Sequence, residues 1–168
     1  MAALAHAGIG LASKRIAPKV PVWILVTAAY VIDIVWGAFF FTGIEHLPDE
    51  NLPGTSPWSH GLLMAVIWSL LAGFITMLVS KDRRTSLIIG GLVFSHWVID
   101  FISHPMTAVF PGDTGLPLLF EGSPLVGLGV WSTQAGVNIG EYGTLIAGLI
   151  IYMLTLRKLR KERGEVQS

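Results

Sequence analysis

The sequence predicts an all-α integral membrane protein: a four-helix bundle with a short N-terminal re-entrant or interfacial helix and a long outer cap loop. Three observations carry this reading. Of the 168 residues, 52% are hydrophobic and 13% charged, about half the roughly 25% charged of an ordinary soluble domain. Four apolar runs each approach the 20 or so residues needed to cross a hydrocarbon core about 30 Å thick. The basic residues, finally, are confined to three clusters beside those runs. Mean hydropathy is +0.65. A soluble enzyme is excluded, because such runs leave almost no polar helix face to cover them. Residues 1–168 read as one membrane domain.

Each element has its own signal. Residues 1–17 are apolar and rich in alanine and glycine, with Lys14 and Arg15 after the apolar part. That order is the reverse of a signal peptide. The stretch reads as a half-helix, ended by Pro18 and Pro21, that dips into the membrane or lies along it. A first span covers about 22–44, interrupted by Thr27, Asp33 and Thr42. The second, about 60–80, holds no charge from Gly61 to Val79. The third, about 85–103, is broken by Ser95, His96 and Asp100, and the fourth, about 137–156, mainly by Asn138 and Glu141. Gly90 and Gly91 predict close helix packing. With four prolines and six glycines, His104 to Gly136 is too long for a plain connector and reads as a partly ordered cap.

Charge placement predicts orientation. Lys14, Arg15 and Lys19 precede the first span; Lys81, Arg83 and Arg84 separate the second and third; Arg157, Lys158, Arg160, Lys161 and Arg163 follow the fourth. The connections 45–59 and 104–136 contain no lysine or arginine. Both termini and the 81–84 turn therefore face the cytoplasm, and both remaining loops face outward. The 11 basic and 11 acidic residues cancel, so nucleic acid is not an expected partner. With no cysteine, disulfides, thiolate metal sites and cysteine catalysis are excluded.

Ionisable residues inside spans carry the functional signal, because lipid burial is costly unless they pair or line a polar cavity. At about 1.5 Å per residue, Asp33 lies roughly 18 Å above the cytoplasmic end of its span, His96 roughly 16 Å, and Asp100 and Glu141 near 22 Å. His60 and His104 stand at the outer boundary, and His6 reaches the level of Asp33 if the N-terminal stretch inserts. His96, Asp100 and His104 are spaced i, i+4, i+8, along one helix face. Imidazole and carboxylate are suitable ligands for zinc, iron or manganese, and Asp33 and His60 are the obvious donors from other helices. The metal candidates are therefore Asp33, His60, His96, Asp100, His6 and His104. Glu45 and Glu141 are the candidate catalytic bases. The plainer alternative is a hydrogen-bonded His–Asp pair tying helices together. Trp58 and Trp131 read as interface anchors. Ser59 and Ser95 each precede a histidine; on a helix the two side chains leave on different faces, so neither is taken as a nucleophile.

The residues His6-Ala7-Gly8-Ile9-Gly10-Leu11, Asp33-Ile34-Val35-Trp36, Gly43-Ile44-Glu45-His46, Trp58-Ser59-His60-Gly61, Ser95-His96-Trp97-Val98-Ile99-Asp100 and Gly129-Val130-Trp131-Ser132 carry a resemblance over most of the chain. It resembles the family of small prokaryotic membrane proteins catalogued as metal-dependent hydrolases and also as permeases. The resemblance implies a membrane helical bundle with metal-binding His6, Asp33, His60, His96 and Asp100, but brings no substrate. The chain departs from the family pattern after His104, where Pro105-Met106-Thr107 replace a basic and an acidic residue.

Two function classes follow. One is a membrane-embedded metal-dependent hydrolase acting on a lipid or membrane-delivered ester or phosphoester, with a divalent metal, zinc first and then iron or manganese. The alternative is an ion- or proton-coupled permease using the same carboxylates and histidines, which as a four-span protein needs a homo-oligomer. Haem held by two transmembrane histidines is a weaker third reading. Membrane lipids and a small-molecule or lipid substrate are the expected partners. The expected location is the prokaryotic inner membrane, multi-pass.

Overall fold

The computed structural model describes residues 3–46 and 56–167, and the chain is mostly helical throughout. Helix α1 spans Ala3–Ala12, α2 Val22–Ala29, α3 Val31–Phe41, α4 Leu62–Ser80 and α5 Arg83–Ser103. A short antiparallel hairpin, β1 (Leu116–Pro117) with β2 (Leu125–Val126), follows in register Leu116 to Val126. Helix α6 is Gln134–Asn138 and α7 is Thr144–Gln167, joined through a π-helical segment, Ile139–Gly143. Three helices are long and apolar enough to cross a membrane: Leu62–Ser80, Arg83–Ser103 and Gln134–Gly164. The pair α2 and α3, taken as one bent span, makes a fourth. These are the helices of a membrane protein, and many of their large apolar side chains, such as Leu70, Val79 and Ile146, lie exposed on the outside.

Local chemistry explains where the helices begin and end. Pro18 and Pro21 keep α1 from continuing into α2, and Lys14 Nζ donates to the Val20 carbonyl across the turn (2.6 Å). Asp82 starts α5 by accepting the Arg84 and Thr85 amides at 3.1 and 3.2 Å, an N-cap that satisfies two orphan donors. With Lys81 in the left-handed region (φ 53°), this makes a tight α4–α5 turn. The first amides of α1 are served from another helix: Glu141 Oε2 accepts the Ala5 N–H at 2.8 Å.

The sequence predicts one span over about 22–44, and the structure fills that range with two helices. The chain bends by 55° between α2 and α3, with Tyr30 (φ −104°, ψ 2°) at the break. No proline lies there. Instead the Ala29 carbonyl accepts Nδ1–H of His96 at 2.7 Å, and a side chain that takes a ladder carbonyl is a recognised cause of kinking. The fourth predicted run is likewise not a plain α-helix, since Glu141 sits in the π-helical segment. Trp131, expected as an interface anchor, is buried at 2% exposure.

Apolar burial in lipid drives helix association only weakly, so small residues at the contacts matter most. A Cβ built on Gly90 would lie 3.0 Å from the Ser69 carbonyl and 3.6 Å from the Gly73 Cα, so α4 and α5 touch backbone to backbone there. Gly91, its predicted partner in packing, faces open space. Helix α1 meets α7 still more closely: a Cβ on Gly148 would stand 2.1 Å from the Gly8 oxygen. Around these contacts, Leu25, Ile32, Ala65 and Val93 are fully buried.

Gly148→Val is therefore expected to unseat α1 and destabilise the protein by about 1–3 kcal/mol, the usual cost of overpacking. Gly37→Ala, which meets nothing within 4 Å, should be near neutral. Thermal unfolding of the two variants in detergent checks this.

Candidate metal centre

Four parts of the chain deliver polar side chains to one buried point. His6 comes from α1, Asp33 from the first turn of α3, His60 from the turn before α4, and His96 and Asp100 from adjacent turns of α5. His6, His96 and Asp100 are at most 1% exposed, and His60 and Asp33 at most 9%. His60 Nε2 lies 3.5 Å from both Asp33 Oδ1 and Asp100 Oδ2. His96 Nε2 lies 3.6 Å from Asp33 Oδ1 and 3.3 Å from Asp100 Oδ2. His6 Nε2 is 3.3 Å from Asp100 Oδ1, and its ring stacks on His96 with centroids 3.6 Å apart. Two groups with metal-ligand spacing result, His6–His96–Asp100 and Asp33–His60–His96, sharing His96.

The hydrogen bonds on the far side of two rings determine what they present to this point. A carbonyl only accepts, so His96 Nδ1 must carry the proton it gives to Ala29. Glu45, buried at 2% exposure, accepts the Trp58 and Ser59 amides on Oε1 (2.8 and 2.9 Å) and the Ser59 hydroxyl on Oε2 (2.6 Å). With its proton on Glu45, Ser59 Oγ can only accept from His60 Nδ1, 2.8 Å away. Where either ring is neutral, its Nε2 is therefore the unprotonated nitrogen, turned toward the two carboxylates. A hydrogen bond on the outer ring nitrogen is how metal-ligating histidines are held and oriented.

The centre is left incomplete by protein groups alone. Among the described residues, both carboxylate oxygens of Asp33, Asp100 Oδ1, His96 Nε2 and both His6 nitrogens are buried without a hydrogen bond of normal geometry. Buried polar atoms are otherwise almost always satisfied. Among the described residues, the ion-pair contacts of Asp33 and Asp100 are with histidine, none with lysine or arginine. Positive charge must come from protons on the imidazoles or from a cation, and the donor set can hold a metal ion.

The other expected site residues are placed elsewhere. His104 follows the last turn of α5 with extended backbone (φ −74°, ψ 148°), which takes it off the helical face shared by His96 and Asp100. Its Nδ1 faces Asp113 Oδ2 at 2.8 Å instead. Burial alone would raise the Asp113 pKa, but His104 and the Met106 and Gly115 amides hold it below the usual carboxylate range. Glu45 reaches the centre only through Ser59 and His60, and the Glu141 contact is with the α1 backbone. His46 is exposed. Ser59 is in a turn and not on a helix, so the argument that a serine and the next histidine must diverge does not apply to it. Ser95, which is on α5, does turn away and donates to the Leu92 carbonyl. Spacing gave no sign of the Glu45–Ser59–His60 chain, because Glu45 meets Ser59 only through the fold.

No protein-family model, curated protein or solved structure matches this chain.

The tautomers are directly measurable. Histidine 15N spectra of the metal-stripped protein at neutral pH should show His60 and His96 protonated at Nδ1. Ser59→Ala should shift His60 alone. Nε2–H tautomers at both positions would contradict the assigned hydrogen bonds.

Proposed function

We propose that this protein is a multi-pass membrane protein of the prokaryotic inner membrane whose spans form a four-helix bundle around a divalent metal. In this reading it hydrolyses a lipid or membrane-delivered ester or phosphoester. The observation that carries the proposal is the convergence of buried imidazole nitrogens on two carboxylates that, among the described residues, pair with no lysine or arginine. Two buried carboxylates match the charge of a divalent cation. The Nε2–oxygen separations of 3.3–3.6 Å are also of the size expected between two ligand atoms that each lie about 2.0–2.2 Å from one zinc ion. Zinc is therefore the first expectation. A histidine–aspartate tie between helices needs no such set of unpaired atoms.

His60, His96, Asp33 and Asp100 would be the ligands, with His6 beside them on Asp100. A bound divalent ion supplies Lewis acidity and lowers the pKa of water. The protein's own groups hold the site. Glu45, through Ser59, keeps His60 Nδ1 protonated; the Ala29 carbonyl does the same for His96; and Glu141 fixes the start of α1 and so the place of His6. Glu45 and Glu141 are accordingly assigned as positioning residues and not as bases. The resemblance of the His6, Asp33, His60 and His96 motifs to the hydrolase family supports the same reading.

Metal analysis of detergent-purified protein tests it. The wild type should carry stoichiometric zinc, iron or manganese; His96→Ala should lose most of it, together with hydrolysis, while His46→Ala should keep both. Affinity should fall as pH drops, since protons compete for imidazole and carboxylate. Wild type without tightly bound metal, combined with flux abolished by Asp33→Asn in proteoliposomes, would establish a permease instead. Stoichiometric metal unchanged in His96→Ala would overturn the ligand assignment.

The basic clusters at 14–19, 81–84 and 157–163 support a cytoplasmic position for both termini in this reading. A single cysteine at Thr114 should react with an impermeant reagent from outside the cell, and reaction from the cytoplasmic side alone would reverse the topology.

A further inference from the structure

On the side of the molecule carrying the basic clusters, a groove of about 1020 Å³ runs between α1 and α5, with Ile151 of α7 along it. Its walls are almost wholly apolar, and Ile16 and Leu87 on its rim are 52% and 67% exposed. Gly91 forms part of the wall, and a side chain there would meet nothing within 4 Å. The inner end reaches Ile9 and Leu92, about one helical turn from His6 and His96.

The mouth has the opposite character. Arg15, Arg83 and Arg84 all line it. Arg84 Nη2 is anchored across the gap by donating to the Ile16 carbonyl at 3.1 Å. Among the described residues none of the three forms an ion pair. Asp82 is the acidic residue at this mouth, and its carboxylate is turned to the Arg84 and Thr85 amides and the Thr85 hydroxyl. A second groove, about 650 Å³ between α4 and α5, is equally apolar but is lined by Arg83 alone of these arginines. The first groove is thus apolar along its length and strongly cationic at one end, on a surface of apolar side chains. That is the complement of a lipid with an anionic headgroup, and basic pockets between spans bind such headgroups.

We infer that the α1–α5 groove is a binding site for one anionic phospholipid, its phosphate held by Arg15, Arg83 and Arg84 and an acyl chain lying over Gly91. The site does not depend on the metal reading, and metal content measured in parallel keeps the two apart. The test uses the full chain in mild detergent, offered equal amounts of phosphatidylglycerol and phosphatidylcholine, with retained lipid read by native mass spectrometry. One phosphatidylglycerol per chain should be retained in preference to phosphatidylcholine. Arg15→Gln and Arg83→Gln should each lower its retention roughly fivefold, the worth of one basic residue near an anionic headgroup. Gly91→Trp, which fills the groove, should abolish retention, whereas Leu78→Trp, exposed outside both grooves, should retain it. Equal retention of the two lipids overturns the proposal, as does unchanged phosphatidylglycerol in Gly91→Trp. If Gly91→Trp fails to fold, the arginine variants decide: unchanged retention in both means that these residues only orient the chain.

Discussion

Asp33 and Asp100 are carboxylates buried among apolar helices and, among the described residues, no lysine or arginine neutralises them. Leaving either charge uncompensated in such an interior would cost several kcal/mol. Much of the irregular structure near them serves that constraint. The α2–α3 bend delivers the Ala29 carbonyl to His96, the turn before α4 delivers His60, and α1 packs where His6 can stack on His96 and face Asp100. A regular bundle of straight helices would bury the same apolar surface without bringing these donors together.

The helices were legible in the sequence because crossing a membrane demands long apolar runs, and residues 61–79 admit hardly another reading. Asp33, His60, His96, Asp100 and His6 were legible for the converse reason: ionisable side chains in such runs are too costly to be incidental. The bend at Tyr30 was not legible, since it depends on a hydrogen bond from a residue 67 positions away from Ala29. His104 misled because i, i+4, i+8 spacing holds only while the helix continues, and α5 ends at Ser103. Glu45 was visible as a carboxylate, but its partners Trp58 and Ser59 lie 13 and 14 positions further along the chain. The pattern is physical: periodicity reports what faces a helix side, and it is silent about backbone groups and turns.

The centre also shows a division of labour between two kinds of polar contact. Contacts on the outer side of His60 and His96 are short and well paired, at 2.7–2.8 Å. Those on the inner side are longer, at 3.3–3.6 Å, and leave several atoms unpaired. Rings fixed from behind keep their orientation whatever they face, so the donor atoms are preorganised and pay little reorganisation when they engage a cation.

The contact between Gly8 and Gly148 bears on how the molecule is assembled. Helix α1 leaves the ribosome before every other element described, yet its docking surface belongs to α7, the last. Its start is also held by Glu141, on the segment leading into α7. Until α7 has been made, α1 has only its contacts with α2 and α5, and the carboxylate that holds its start is missing. A product interrupted before residue 141 would therefore lack both the Glu141 carboxylate that holds the start of α1 and the Gly148 surface on which Gly8 packs.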